Sequence, residues 1–232
     1  TGYRNANEIG FNADNWIEKA KEYLEVIKKH GLEDTEVVYD EWGMSSAGFY
    51  NVEECPIFIE RETEVYSSFF VRLINIIIKN NVNYMRIRVW NDPYDENGKP
   101  YLGGTCDVNN FIKLAKLAMS KGFKILLDLH YSDFWADPGK QFLPKAWQEK
   151  DIDEVEQELY KFTKDVCLKA KEEGIDIDLI QIGNEITNGI CWPIAKLEWH
   201  ENGPRTNYDN LSRLFKAGIK AAKEVYPNVQ TI

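Results

Sequence analysis

No apolar run in this sequence approaches the roughly 18 residues that a membrane-spanning helix requires, so no membrane role is expected. No secretory-leader pattern is recognisable at its start. Positive charge is in the minority: 28 Lys and Arg stand against 38 Asp and Glu, a formal net charge of -10. That balance argues against nucleic acid or an acidic membrane face as the main partner, and it suits a neutral substrate that needs no electrostatic steering. Cysteine is scarce. Cys55, Cys106, Cys167 and Cys191 lie far apart and form no C-x-x-C pair, so no zinc or redox motif follows and their spacing fixes no disulfide. Histidine is scarcer still, at three residues. Internal repeats and low-complexity segments are missing as well.

What is present is an ordinary globular composition. The 232 residues suit one domain, and α/β barrels often use about 250 as a single unit. With 44% hydrophobic and 28% charged residues, a core of fair size is expected. Aromatic residues make up 13%, with seven Trp. Sugars present flat C–H faces that pack on indole rings, although any single Trp serves equally well as a core aromatic.

Helical and strand periods alternate along the chain, which predicts parallel βα units rather than a sandwich. Trp16, Ala20, Tyr23, Leu24 and Ile27 place an amphipathic helix over residues 14–29, closed by His30-Gly31. A short strand follows at 37–39, then a helix at 62–79. Strands are expected at 83–90, 123–129, 179–183 and from 229 onward, with helices at 107–121, 151–173 and 208–225. Gly122 and Gly174 supply the helix stops before two of these strands. The fold class is therefore α/β, of the (β/α)8 TIM-barrel type, in partial form: five strands are visible where a closed barrel uses eight. The chain opens at Thr1 and stops inside a strand-like segment, so a fragment, a permutation, a chimera or assembly across subunits is expected.

In parallel α/β folds the working groups gather at the carboxyl ends of the strands. Here those ends are polar. Arg86 and Arg88 share one strand face, followed by Trp90 and Asn91. The next strand ends in Asp128-Leu129-His130-Tyr131-Ser132-Asp133, and the one after it in Gly183-Asn184-Glu185. A barrel interior is otherwise apolar, so inward Arg, Asp and His need partners or a ligand. A buried ion-pair layer that holds the sheet together would leave the same pattern.

Three segments carry a family resemblance: Arg86-Ile87-Arg88-Val89-Trp90-Asn91-Asp92-Pro93, then Leu126 to Pro138, then Gln181-Ile182-Gly183-Asn184-Glu185, with Pro144-Lys145-Ala146-Trp147 adding to them. Together they resemble glycoside hydrolase family 53, the endo-β-1,4-galactanases that act on arabinogalactan side chains, over about residues 83–232. The resemblance implies a retaining mechanism with two glutamates, a polysaccharide or oligosaccharide substrate, no cofactor, no metal and secretion. It implies Glu185 as the acid/base, Asn184 as the partner of the sugar 2-hydroxyl, and Arg86 as the group that orients the nucleophile. Arg88, Asp128 and His130 would support this shell, and Trp90 and Trp135 would stack on sugar rings.

A retaining site needs a second carboxyl about 5–5.5 Å from the first. In the family it lies on a strand beyond the equivalent of Ile232. Val37-Val38-Tyr39-Asp40-Glu41-Trp42-Gly43 resembles the nucleophile strand of related barrel glycosidases, such as the β-xylosidase and arabinofuranosidase families, which makes Glu41 a candidate nucleophile. A junction near 66–82 would then join this piece to the galactanase-like part, although Gly43-Met44-Ser45-Ser46 could mark the family's own first strand. Glu41 reads equally as a solvated loop acid. Three other readings stand beside the hydrolase: a carbohydrate-binding piece without a nucleophile, a metal hydrolase built on Asp128, His130, Asp133 and Glu185, and a glycosidase for xylosides or arabinofuranosides. Open sheet edges would also invite self-association.

Overall fold

Strand β2 (Lys124–Leu129) has only its first side chain exposed, and the other five are buried on both of its faces. Such burial is the mark of a parallel sheet enclosed on two sides rather than one with a wet face. The computed structural model describes residues 22, 25, 26, 29, 83–101, 106–200 and 203–232. The chain divides into two compact units, Thr1–Tyr84 and Met85–Ile232, and all but the first residue of the described sheet lies in the second.

Four strands form that sheet in the order β1 (Tyr84–Val89), β2, β3 (Leu179–Ile182) and β8 (Gln230–Thr231). β2 and β3 run parallel in the register Leu126↔Leu179 to Leu129↔Ile182, and β3 and β8 run parallel through Leu179↔Gln230. Backbone bonds from His130 to Val89 and from Asn91 to Ser132 carry the β1–β2 ladder past the strand ends. Each strand is added beside its predecessor with no reversal of order. That is the winding of a barrel wall, not of a doubly wound open sheet.

Helices α1 (Val108–Ser120), α2 (Ile152–Glu172) and α3 (Tyr208–Val225) follow β1, β2 and β3 in turn. Asp107 caps α1 by accepting from the amides of Asn109 and Asn110, which would otherwise lack partners. Asp151 and Glu154 form a reciprocal capping box on α2. On α1 the buried side is Phe111, Ile112, Ala115 and Ala118, a spacing that keeps one stripe toward the sheet. α3 buries Leu214, Ala217, Gly218, Ala221 and Ala222. Its small residues allow close approach: a Cβ on Gly218 would stand 2.8 Å from Ile182 Cγ2 and 3.0 Å from the Tyr131 hydroxyl.

The strands and helices expected from 83 onward are found with ends shifted by a residue or two, and α3 has the expected bounds. Of the helix expected at 14–29, the described residues Glu22, Glu25, Val26 and Lys29 are helical. The strand expected at 37–39 and the helix at 62–79 lie outside the described residues. Two antiparallel hairpins were not expected: β4 (Gly189–Ile190) with β5 (Ala195–Lys196), and β6 (Glu198–His200) with β7 (Gly203–Thr206). Strands this short hold too few residues for a period of two to show.

Candidate active site at the strand ends

The alternation of β1 turns Arg86 and Arg88 to one face of the sheet. Arg86 has a nearly covered side chain, and its Nη2 lies 3.0 Å from Oδ2 of the fully buried Asp128 on β2. The same nitrogen donates to Asn184 Oδ1 at 2.5 Å, just past β3. His130 completes the layer, with Nε2 at 2.9 Å from Asp128 Oδ2. Its Nδ1 accepts from the Ala136 amide at 3.2 Å and so carries no proton, which leaves the ring proton on Nε2 to be donated to the carboxylate. One buried carboxylate oxygen thus receives a guanidinium and an imidazole, the pairing that a buried charge requires. Asp128 Oδ1 is buried with no hydrogen-bond partner among the described residues.

Beside this layer the Arg88 guanidinium stacks 4.1 Å from the Trp135 ring centre. Trp135 is half-buried and meets His130 edge-on at 6.5 Å. Trp135 therefore has one ring face engaged by Arg88. Trp90 is 3% exposed and packs against Phe134 at 5.2 Å and His130 at 6.3 Å, so its ring is engaged mainly by the protein itself.

Glu185 follows β3 in a tight turn. Gly183 has φ +92°, and a Cβ there would come within 2.7 Å of Ile186 Cγ2, so glycine is the residue the turn needs. Asn184 is 3% exposed and donates through Nδ2 to the Ala136 carbonyl at 2.7 Å. Glu185 itself sits at φ 47°, ψ 48° with its side chain exposed. The structure brings together Arg86, Asp128, His130 and Asn184, with Glu185 next in sequence and Arg88 and Trp135 alongside. Glu41 lies outside the described residues.

Sequence reasoning missed Gln141. It is buried, and its Nε2 donates to the carbonyls of Asn184 at 2.6 Å and Glu185 at 3.3 Å. It also missed the clasp around Asp133. There Oδ1 accepts from the Asp92 amide at 3.0 Å and Oδ2 from the Lys145 amide at 2.7 Å, while Lys145 Nζ pairs with Asp92 at 2.6 Å. Burial pushes the Asp133 carboxyl above its ordinary pKa despite these donors. Both of its oxygens are thereby committed to the loops after β1 and β2. Among the described residues no group of three His, Cys, Asp or Glu is arranged to hold a metal ion.

A sequentially wound parallel sheet with a polar layer at its carboxyl ends is the wall of a (β/α) barrel with its site in the usual place. The chain belongs to glycosyl hydrolase family 53, whose model matches residues 43–232. It is 41% identical over 148 residues to an endo-beta-1,4-galactanase of Bacillus subtilis, a match that covers 64% of this chain and 32% of that protein. It is also 41% identical over 152 residues to arabinogalactan endo-beta-1,4-galactanase A of Aspergillus niger, covering 66% and 39%. Among solved structures, the family 53 catalytic domain of Ignisphaera aggregans superposes with TM-score 0.61 at 43% identity, covering 68% of this chain and 42% of that one. A fungal β-1,4-galactanase gives 0.57 at 34%, covering 68% and 43%. The chain spans roughly a third to two fifths of the length of the curated relatives it matches. The family match begins at Gly43, earlier than the resemblance read near residue 83, and runs through 66–82.

Proposed function

We propose that this chain carries the acid/base half of a retaining glycosidase site that cleaves β-1,4-galactan internally, with Glu185 as the acid/base. The observation that carries the reading is the Arg86–Asn184 contact, because it sets the Asn-Glu pair over an inward layer of Arg, Asp and His. Retaining chemistry asks one carboxyl to protonate the leaving oxygen and then, ionised, to activate water. Glu185 has the place for this, exposed at the carboxyl end of β3. Asn184 uses one Nδ2 hydrogen on Ala136 and keeps a second for a sugar 2-hydroxyl. Arg86 has the charge to orient a carboxylate nucleophile. Arg88 and Trp135 form a stacked pair at the side of the site, and Asp128 and His130 hold the layer from beneath. Glu41 is the nucleophile candidate within this chain.

The galactan substrate comes from the names of the relatives. Secretion fits it, since an intact polysaccharide does not cross a membrane and an endo-acting enzyme must meet it outside. The test is hydrolysis of soluble galactan by wild type, Glu185→Gln and Glu41→Ala. A loss of about 100-fold or more in Glu185→Gln is expected for a general acid/base. Galactan binding without turnover by wild type would favour a binding piece instead. Full activity in Glu41→Ala would remove that residue from the site.

A further inference from the structure

We propose that Gln141, in the loop after β2, is a positioning residue that aims the carboxyl of Glu185; the inference rests on the acid/base reading above. Gln141 is 3% exposed and its Nε2 lies 2.6 Å from the carbonyl oxygen of Asn184 and 3.3 Å from that of Glu185. With carbonyls as both partners, only the NH2 end of the side chain fits there. The two carbonyls belong to the two peptide planes that flank the Glu185 Cα. Because each peptide unit is rigid, anchoring both planes to one nitrogen fixes the direction of the Cα–Cβ bond between them.

Local preference would not fix it. Glu185 lies in the left-handed region, at φ 47° and ψ 48°, which a residue with a Cβ disfavours. Side-chain bonds also tie this turn: Arg86 donates to Asn184 Oδ1, Asn184 Nδ2 holds the Ala136 carbonyl and Asn188 Nδ2 holds the Pro138 carbonyl. None of these three bonds is made to a peptide plane beside Glu185. Gln141 is in turn held in place, since its own carbonyl accepts from the Trp192 amide at 2.6 Å. The loop after β2 therefore reaches across to hold both peptide planes of an exposed acid.

The test uses the intact protein with Gln141→Leu, which removes the donor at similar size, and Gln141→Glu, whose carboxylic acid can donate only while protonated. A misaimed acid should lower kcat on galactan by about 10- to 100-fold with little change in KM, as expected for displacement of a reacting group. A dinitrophenyl galactobioside, whose leaving group needs no proton, should show a smaller fall. Azide, a nucleophile that needs no general base, should restore its turnover. Gln141→Glu should approach wild-type activity in acid and lose it toward neutral pH, which keeps the test open if the leucine variant fails to fold. Wild-type kcat on galactan in Gln141→Leu, an equal fall on both substrates without azide response, or a pH profile of Gln141→Glu that matches wild type would overturn the assignment. If Glu185→Gln is impaired while Gln141→Leu is not, this inference alone falls. If wild type leaves galactan intact, the reading beneath it falls too.

Discussion

Arg86 on β1 reaches over β2 to donate to the side chain of Asn184 beyond β3, at 2.5 Å. Beneath that reach lies Asp128, fully buried, so one guanidinium joins three strand ends through a single carboxylate and a single amide. The candidate site and the stability of the sheet are thus the same set of contacts.

Removing the guanidinium should therefore unfold more than it inactivates. Arg86→Ala leaves the Asp128 charge buried with His130 as its remaining partner, a change that typically costs about 3–5 kcal/mol. Arg86→Lys should cost less, because an ammonium keeps the charge but cannot reproduce the planar fork. Urea denaturation of the two variants checks the order. Equal midpoints for Arg86→Ala and wild type would mean that Asp128 is not held as an ion pair.

Gly218 offers a test of packing against propensity. Alanine is the better helix former by about 1 kcal/mol. At this position its Cβ would meet Ile182 Cγ2 at 2.8 Å and the Tyr131 hydroxyl at 3.0 Å, with Leu159 Cδ2 at 3.3 Å. The hydroxyl is itself fixed, since Tyr131 donates to Thr163 Oγ1, which donates to the Leu159 carbonyl. Overpacking of this kind costs about 1–3 kcal/mol, so Gly218→Ala should lower the melting temperature despite the gain in propensity. A higher melting temperature would show that α3 can move off the sheet freely.

How much of this was legible in the sequence depends on how local the signal is. α3 was readable because its apolar stripe lies within one helix, and β1 to β3 because their ends pair strand composition with polar groups. The Arg86, Asp128, His130 and Asn184 set followed from the rule that strand ends carry the chemistry. Gln141 was invisible, since nothing local distinguishes it from a surface glutamine; its meaning comes from carbonyls 43 and 44 positions away. Trp90 shows the same limit from another side: an indole at a strand end suits a sugar platform and a core equally, and its packing against Phe134 is visible only in the fold. The short hairpins between β3 and α3 are tertiary in origin: Gly189 has φ +89°, and a Cβ there would lie 2.0 Å from the Ala195 carbonyl oxygen.

The buried thiols give a prediction on the alkaline side. Burial pushes the Cys167 thiol up from 9.0 to about 12 and raises Cys191 as well. Between about pH 9 and 12 the unfolded chain loses these protons while the fold keeps them, so stability falls as pH rises through that window. At mildly alkaline pH neither should react with a thiol reagent until the protein unfolds. Labelling of Cys167 in the native protein, read by mass spectrometry, would contradict its burial.

Asp107 works in the opposite direction, at the acid end. It is 8% exposed and receives the Asn109 amide at 2.7 Å, the Asn110 amide at 2.9 Å and the Tyr94 hydroxyl at 2.6 Å. Burial alone would raise its pKa, but the bonds from Tyr94, Asn110 and Asn109 outweigh it and hold the carboxyl below 3.8. A depressed folded pKa stabilises the fold above the unfolded value, and that stability is lost as pH falls through the folded one. Asp107→Asn keeps a capping oxygen and gives up the charge, so it should cost about 1 kcal/mol at neutral pH. The gap between variant and wild type should then begin to narrow as the pH is brought below about 4, where the unfolded carboxyl takes up its proton, and close only below the depressed folded value. Paired urea titrations at neutral pH and about pH 3 measure it. A gap that stays constant over that range would mean the cap at the start of α1 acts through its shape and not through its charge.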